Sequence, residues 1–179
     1  MKYLICSDIH GSYSACKKII EHFESLKCDY LVLLGDILYH GPRNNLPDGH
    51  NPKKTAELLN KYSDKIIACR GNCDCEVDQM VLNFPFMQDY AMLIDDGTKM
   101  FCTHGHLFNA NSAHLQHDIF FSGHTHIQVL ERGKHNNIIC NPGSTSLPKA
   151  SSSSGFAVYE DNIVTLYDID GIMLKTMSL

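Results

Sequence analysis

The segment Tyr3-Leu4-Ile5-Cys6-Ser7-Asp8-Ile9-His10 begins as an apolar, strand-like run and ends in side chains that can bind a metal ion. Four further apolar runs end in the same way, so that five junctions follow one another along the chain: Ser7-Asp8-Ile9-His10, Gly35-Asp36, Gly71-Asn72-Cys73-Asp74, Thr103-His104-Gly105-His106 and Gly123-His124-Thr125-His126. Ligands of open α/β sheets bind outside the carboxyl ends of the strands. The series therefore predicts a pocket for two metal ions at one edge of a sheet.

Length and composition are those of one globular domain. The chain has 179 residues, of which 44% are hydrophobic and 20% are charged, and a chain of this size can bury most of its surface. We therefore expect a single domain over residues 1–179. No apolar run approaches the ~20 residues that span a bilayer, and the first strand leaves no room for a signal peptide. These features predict a cytoplasmic protein that does not contact membranes.

Charge and cysteine content narrow the classes of partner. The net charge of −5 argues against a broad basic surface for extended nucleic acids. Two divalent cations would make a site far more positive than this count suggests. The net charge therefore does not exclude small phosphorylated substrates. The eight cysteines include no Cys-x-x-Cys pair. We expect free, mostly buried thiols rather than a disulfide scaffold.

The first half of the chain alternates strand-like and helix-like patterns. A helix is predicted from Ser12 to about Leu26, because apolar residues recur on one face and Ser12 or Ser14 can cap it. A second helix is predicted over Pro52–Tyr62, with proline at its first position. The predicted strands are Tyr3–Ser7, Asp29–Leu34 and Lys65–Cys69. This alternation implies right-handed crossovers and parallel pairing.

The second half is predicted to consist mainly of antiparallel strands. Asp95-Asp96-Gly97-Thr98 and Asp161-Asn162 are turn sequences between strand-like runs, and a short helix is predicted around residues 111–116. The predicted strands are Tyr90–Ile94, Lys99–Thr103, Asp118–Ser122, Gln128–Arg132, Asn137–Cys140, Phe156–Glu160 and Ile163–Asp168. Together the two halves favour an α/β fold with two mixed sheets packed face to face and helices outside.

The residue types at the junctions determine which metals suit them. Asp8 with His10 and His124 with His126 are two residues apart, which puts both side chains of each pair on one side of an extended segment. Carboxylate, amide and imidazole ligands suit Mn²⁺, Fe²⁺ or Zn²⁺ better than Ca²⁺. Two such ions can clamp a phosphate and lower the pKa of a bound water. Hydrolysis of a phosphate ester needs both effects.

Each junction also has an ordinary structural interpretation. Asp8 is well placed to cap the following helix, Gly35-Asp36 is a common turn sequence, and Asn72 suits a left-handed turn position. Histidines near the end of a hairpin are often structural. Five coincidences in one order are far less probable than one, so the pattern favours a metal centre.

The ordered motifs Asp-x-His, Gly-Asp, Gly-Asn-x-Asp, His-Gly-His and Gly-His-Thr-His resemble those of the calcineurin-like metallophosphoesterases. The similarity runs from Met1 to about Ser146 and is greatest to the small, single-domain phosphodiesterases of bacteria and archaea. Asn141-Pro142-Gly143-Ser144 resembles the last motif of that branch. The resemblance implies a four-layer α/β/β/α sandwich and a metal-dependent hydrolase that cleaves a small phosphodiester.

The resemblance also implies a ligand set. Asp36 would bridge two divalent ions, and a metal-bound hydroxide would attack phosphorus in line. The first ion would be held by Asp8, His10, Asp36 and His126, and the second by Asp36, Asn72, His104 and His124. Mn²⁺ is the metal we expect first, with Fe²⁺, Zn²⁺ and Ni²⁺ as alternatives.

One position departs from the motif of many relatives. Cys73 occupies the place where a histidine follows the asparagine and is taken to protonate the leaving group. A thiol is a poor acid for this task. His106, two residues past a proposed ligand, is the alternative acid that we predict. Asn72 and Asp74 complete the predicted catalytic group, Asp74 as an acceptor that orients a ligand.

Substrate contacts are predicted in the loop over residues 38–51 and at Cys73. Arg43 can bind a phosphate through two hydrogen bonds, and Asn44 follows it directly. The same loop has an equally simple interpretation as a solvated segment rather than a substrate lid.

Three other functions fit the same motifs. The first is a phosphomonoesterase or nuclease at the same site. The second is a non-catalytic scaffold for protein interactions, because some relatives of this fold bind proteins. The third is a metal-binding or sensing protein without turnover. A homo-oligomer is also possible, because an exposed hairpin edge can pair across a two-fold axis.

Overall fold

The computed structural model describes residues 1–111 and 116–179 and contains two β-sheets. The strands of this part of the chain are β1 Tyr3–Cys6, β2 Tyr30–Leu33, β3 Ile66–Ala68, β4 Tyr90–Asp95, β5 Thr98–Thr103, β6 Ile119–Phe121, β7 Gln128–Arg132, β8 Ile138–Pro142, β9 Gly155–Glu160, β10 Ile163–Asp168 and β11 Met173–Ser178. Its helices are α1 Tyr13–Ser25, α2 Pro52–Leu59 and α3 Glu76–Gln79, and a 3₁₀ helix covers Asn60–Lys65.

Both sheets are mixed, as predicted. The first has the strand order β11-β10-β9-β1-β2-β3 and the second β4-β5-β6-β8-β7. The parallel pairs β1–β2 and β2–β3 confirm the alternation of strands and helices in the first half. The second half was expected to be mainly antiparallel, but β5–β6 and β6–β8 are parallel. Parallel strands in both sheets bring carboxyl ends to the edge where the five junctions lie.

The two helices of the first half begin where the sequence predicts. The Ser12 hydroxyl accepts a hydrogen bond from the amide of Ala15 and caps α1. The Asn51 side chain caps α2 in the same way, and Pro52 is its first residue. The second helix ends at Leu59 rather than Tyr62, because the chain tightens into the 3₁₀ helix, where Tyr62 has non-helical φ and ψ.

Alternating residues of the first sheet pack into two separate apolar layers. Leu4 and Cys6 point towards the helices, whereas Tyr3 and Ile5 point towards the second sheet. The same division continues along β2 and β9. The first sheet is therefore buried on both faces, which explains its nearly continuous apolar strands. This arrangement confirms two sheets packed face to face.

The hairpin turns agree with the sequence and some other elements do not. Asp96 and Gly97 have φ of 46° and 84°, and Asp161 and Asn162 have φ of 50° and 63°, as tight hairpin turns require. Neither β11 nor α3 is predicted by the sequence pattern. The helix predicted around residues 111–116 falls mainly on residues 112–115, outside the described residues. None of the described helices is long and apolar enough to cross a bilayer.

Candidate metal centre

The predicted ligands lie in the loops that follow β1, β2, β3, β5 and β6. Backbone hydrogen bonds join these loops: the amide of Asp8 donates to the carbonyl of Gly35 at 3.1 Å, and the amide of His10 donates to the carbonyl of Asp36 at 2.9 Å. The amide of Gly123 donates to the carbonyl of His104 at 2.9 Å. The amide of His124 also donates to Oδ2 of Asp8 at 3.0 Å, which joins a loop of the second sheet to a loop of the first. The edges of both sheets therefore meet at one place.

Five of the seven predicted ligands have left-handed backbone conformations. Their φ angles lie between 51° and 68°, and the residues are Asp8, His10, Asp36, His124 and His126. Non-glycine residues avoid this region because the Cβ atom crowds the backbone, and clusters of such residues occur at functional sites. The strain turns each side chain inward from the end of its strand.

Gly71 and Gly123 are required because neighbouring atoms leave no room for a Cβ atom, and not because their φ angles are positive. A Cβ atom on Gly71 would lie 2.5 Å from the amide nitrogen of Asp36. A Cβ atom on Gly123 would lie 2.7 Å from Oδ2 of Asp8. Any larger residue at these positions would displace the backbone or a predicted ligand. This explains why glycine precedes the ligands at both junctions.

Asp8, His10 and His126 form the most enclosed part of the centre. Each brings one ligand atom to within 4.8 Å of the others, and all three side chains are buried. Oδ1 of Asp8 is 3.2 Å from Nε2 of His126 and 3.7 Å from Nε2 of His10. The two imidazole Nε2 atoms are 3.2 Å apart. This arrangement directs three potential donors to one point.

The ionisation of Asp8 and His126 is coupled. Burial alone would raise the pKa of the Asp8 carboxyl, but contact with His126 and the charge of His104 lower it to about 2. Burial alone would lower the pKa of His126, but the adjacent Asp8 carboxylate raises it. Without a cation, the buried carboxylate therefore favours the protonated form of His126. A divalent ion at this point would compete with that protonation.

Asp36, His104 and Asn72 extend the cluster towards solvent. Oδ2 of Asp36 is 3.5 Å from Nε2 of His104 and 3.8 Å from Nε2 of His10. Asp36 therefore lies between the two groups of predicted ligands, as a bridging residue would. Oδ1 of Asn72 is 3.1 Å from Nε2 of His104, although the asparagine itself is exposed.

His124 lies at the edge of the cluster of predicted ligands, and Cys73 lies within it. Within the described residues, the groups of three close ligand atoms do not include His124, whose ring centroid is 5.1 Å from that of His104. One such group consists of His10, Asp36 and Cys73. Burial, and then the charge of Asp36, raise the pKa of the Cys73 thiol to about 12. The thiol predicted as a substrate contact therefore lies among the ligands.

The donor set fits divalent cations. Three histidines each donate Nδ1–H to a backbone carbonyl, which leaves the lone pair of Nε2 for a metal; the pairs are His10 with Tyr39 at 2.8 Å, His104 with Leu34 at 2.7 Å and His126 with Leu147 at 2.6 Å. Among the described residues, the buried Oδ1 of Asp8 finds no hydrogen-bond partner of good geometry. A cation would satisfy this oxygen and the inward lone pairs together.

Asp74 contacts the backbone behind the centre. Its carboxylate accepts hydrogen bonds from the amides of Asp36 at 2.7 Å, Ile37 at 2.8 Å and Gly71 at 2.7 Å. Burial raises the pKa of Asp74 to about 6, although these donors favour the ionised form. These contacts connect the loop of Asp36 to the loop of Asn72, which suits a positioning residue rather than one that touches substrate.

His106 lies beside the more open part of the centre. Its ring centroid is 5.3 Å from that of His104 and 6.2 Å from that of His124. Nδ1 of His106 is buried and has no hydrogen-bond partner within the described part of the chain. Burial, followed by the charges of His104 and His124, lowers the pKa of His106. The ring therefore lies beside two proposed ligands, whereas its lowered pKa disfavours the protonated form at neutral pH.

A cavity of about 470 Å³ opens beside the candidate metal centre. Its lining includes Asp36, Asn72, His124 and His126, the predicted substrate residues Arg43, Asn44 and Cys73, and Lys149. A larger cavity of about 770 Å³ lies near α2 and α3 and contains none of the predicted ligands. The volume above the metal centre falls in the range of small-molecule sites.

Several groups that shape the candidate metal centre and its cavity are not predicted from the sequence. Backbone carbonyls orient the histidine rings, and a carbonyl has no signal in the sequence. Ser144 donates to the carbonyl of Asp8 at 2.7 Å, and Asn141 donates to the carbonyl of Gly123 at 2.8 Å. Both residues belong to the motif Asn141-Pro142-Gly143-Ser144, for which the sequence alone predicts no role. Lys149 stands outside every motif.

Strand ends that direct carboxylates and imidazoles into one cavity define a protein of the metallophosphoesterase class. The family model of the calcineurin-like phosphoesterase superfamily domain matches residues 1–162. The chain belongs to this family, whose members are hydrolases that use divalent metals.

Individual relatives agree with this assignment. The chain is 43% identical over 169 residues to phosphodiesterase YfcE of Escherichia coli K12, covering 93% of this chain and 91% of the relative. The solved structure of YfcE, a phosphoesterase from E. coli, aligns with a TM-score of 0.95 and 37% identity over 99% of both chains. An archaeal phosphodiesterase shares the fold, with a TM-score of 0.67 and 22% identity over 100% of both chains.

Proposed function

We propose that the chain is a dimetal phosphodiesterase that hydrolyses a small phosphodiester as a single cytoplasmic domain over residues 1–179. The observation that carries the proposal is the convergence of Asp8, His10, Asp36, His104 and His126 in one cluster of potential ligands, of which Asp36 and His126 line the cavity. The similarity to phosphodiesterase YfcE over most of both chains supports the diester as substrate.

The ligand assignment follows the grouping of the side chains. Asp8, His10 and His126 would hold one ion, His104, Asn72 and His124 the other, and Asp36 would bridge them. When bound, the two ions would supply a hydroxide nucleophile at neutral pH and offset the charge that develops during in-line displacement. We propose Mn²⁺, because the mixed oxygen and nitrogen donors suit it, with Fe²⁺, Zn²⁺ or Ni²⁺ as substitutes.

The remaining residues would orient the substrate and deliver a proton. Asn72 would contact a phosphate oxygen as well as a metal, since it is exposed at the cavity wall. His106 would protonate the leaving oxygen in place of the thiol at Cys73, whose raised pKa makes it a weak acid. Asp74 would keep the loop of Asp36 in position through three backbone amides.

The experiment is a comparison of two chromogenic esters. Protein stripped of metal and reloaded with Mn²⁺ is assayed with bis-p-nitrophenyl phosphate and with p-nitrophenyl phosphate. We expect metal-dependent turnover of the diester and slower turnover of the monoester. Faster turnover of the monoester would indicate a phosphomonoesterase. No turnover with any divalent ion would overturn the proposal and favour a non-catalytic scaffold.

A further inference from the structure

Two cationic side chains lie at the cavity above the metal centre. Arg43 belongs to the loop that follows Asp36, and Lys149 belongs to the segment between β8 and β9. They come from distant parts of the sequence, yet both line the cavity of about 470 Å³ that contains Asp36 and His126. A cavity of this size holds considerably more than one phosphate group.

The backbone holds Arg43 close to the metal centre. The Asn44 side chain donates to the carbonyl of His40 at 2.8 Å and closes a turn around Arg43. Gly41 has a φ of 80°, and a Cβ atom there would lie 3.0 Å from Sγ of Cys73. This turn therefore packs directly against a residue of the candidate metal centre.

A second turn fixes Lys149 beside a proposed ligand. The amide of Lys149 donates to the carbonyl of His126 at 3.0 Å, and its own carbonyl accepts from the amide of Ser152 at 3.0 Å. The next two residues, Ala150 and Ser151, have left-handed φ angles of 50° and 64°. Such a strained turn is retained where its geometry is used.

Neither cation forms an ion pair within residues 1–111 and 116–179. Among the lysines and arginines of the described residues, only Lys2, Lys17, Lys18 and Arg70 form ion pairs with acidic side chains. What distinguishes Arg43 and Lys149 is therefore their position at the cavity. Unpaired cations at a concave surface attract anions more strongly than cations on an open surface, because the surrounding protein excludes water.

Charge balance indicates which anion they would bind. Two divalent ions would be balanced by Asp8, Asp36, a hydroxide and the single charge of a phosphodiester. Arg43 and Lys149 would then remain without an anion in the cavity, because the Asp74 carboxylate lies behind the centre against backbone amides and does not line the cavity. A second phosphate group on the substrate would supply about two negative charges near neutral pH.

We propose that Arg43 and Lys149 bind a second phosphate group of the substrate. The substrate class is then a phosphodiester with a further phosphate, such as a nucleotide with phosphates at two positions. This inference rests on the proposed function, because it assumes that the diester is cleaved at the metal centre. Arg43 would bind phosphate through two parallel hydrogen bonds, and Lys149 would act as a point charge.

The test uses two thymidine esters that differ by one phosphate. Thymidine 5′-(p-nitrophenyl phosphate) is compared with the same compound carrying a 3′-phosphate, using the Mn²⁺-loaded protein. We expect kcat/KM to be about 10-fold or more higher for the ester with the 3′-phosphate, as hydrogen bonds to charged groups would give. Arg43→Gln and Lys149→Gln should each reduce this preference about 10-fold.

Lys134→Gln is the matched control, because this exposed lysine lies in the turn between β7 and β8, away from the cavity. It should keep the wild-type preference. A preference of one or less, or one that survives both cavity substitutions, would overturn the inference and leave the phosphodiesterase proposal intact.

A binding measurement decides the inference even if neither ester is hydrolysed. Calorimetry would compare thymidine 3′,5′-bisphosphate with thymidine 5′-phosphate on the Mn²⁺-loaded protein. We expect about 10-fold tighter binding of the bisphosphate, which each cavity substitution reduces. Equal affinities would overturn the inference, whereas absence of turnover alone would count only against the proposed function.

Discussion

The two proposed halves of the metal centre differ in how far the fold encloses them. The half formed by Asp8, His10 and His126 is almost inaccessible to solvent, with exposed fractions of 0%, 0% and 3%. In the other half, His104 is buried, but His124 is only partly buried and Asn72 is exposed at the cavity. Asp36 lies between them.

This difference in enclosure indicates different roles for the two halves of the proposed centre. The enclosed half has its histidine rings fixed by backbone carbonyls and its carboxylate already desolvated, so little reorganisation is needed to bind an ion. The open half faces the cavity through which a substrate would arrive. We therefore expect the enclosed half to bind its ion more tightly and the open half to exchange its ion and contact substrate.

The largest expected effect comes from the residue shared by both halves. Asp36→Asn replaces the proposed bridging carboxylate by a neutral amide that would serve one ion but not two. Turnover of bis-p-nitrophenyl phosphate should fall by roughly 10³-fold or more, and metal content should fall in both halves. The measurement is the rate at saturating Mn²⁺ together with the metal content after gel filtration.

Asp96→Asn, in the exposed turn between β4 and β5, is the matched control and should keep wild-type activity, since asparagine accepts the left-handed conformation of that turn. If Asp36→Asn retained both ions and full activity, the two halves would not share this residue.

The open half should also provide the general acid. His106→Gln removes the imidazole nearest to His104 and His124 that is not itself a proposed ligand. Hydrolysis of diesters with poor leaving groups should fall about 10²-fold or more, whereas p-nitrophenyl esters need little protonation and should be affected much less. The measurement is a series of diesters with leaving groups of increasing pKa. Equal losses of activity across the series would contradict the role of His106 as the general acid.

Asp74 contacts the loops of Asp36 and Asn72 from behind the centre. Asp74→Asn replaces an oxygen that accepts backbone amides by an amide nitrogen, which disturbs the loops of Asp36 and Asn72. The Mn²⁺ concentration for half-maximal activity should rise about 10–100-fold, while kcat at saturating Mn²⁺ changes less. Asp78→Asn, a nearby acidic residue on α3, is the control. A lower melting temperature with unchanged Mn²⁺ dependence would reduce Asp74 to a structural role.

The smallest expected effect is a difference in the number of retained metal ions between a variant of the enclosed half and a variant of the open half. His10→Gln should lose the tightly held ion, whereas His124→Gln should retain about one ion per chain after dialysis against a weak chelator. Both variants change a histidine to the same residue, so each serves as the control for the other. Retention of the same number of ions by the two variants would remove the distinction between enclosed and open halves.

Much of the site could be predicted from the sequence because its residues follow strands whose pattern is strong. The apolar run before Asp8 and the turn sequences at Asp96-Gly97 and Asp161-Asn162 set strand ends locally. The strand β11 was missed because most of its residues are exposed and lack a regular apolar alternation. The parallel pairing of β5 with β6 depends on contacts between distant segments, which local patterns do not encode.

The finer features of the site arise only in three dimensions. The carbonyls of Leu34, Tyr39 and Leu147 orient the rings, but any residue type has a carbonyl. Lys149 approaches the cavity because its amide bonds to the carbonyl of His126 and the chain then turns sharply. Such contacts depend on the path of the backbone, so the spacing of residues in the sequence does not predict them.

A stepwise titration with Mn²⁺ tests the two-ion centre most directly. Stripped protein receives increasing amounts of Mn²⁺, and bound ions and turnover of bis-p-nitrophenyl phosphate are measured at each step. We predict that the first ion binds with little turnover and that activity rises with the second. Full activity at one ion per chain, or no activity at two, would contradict the account.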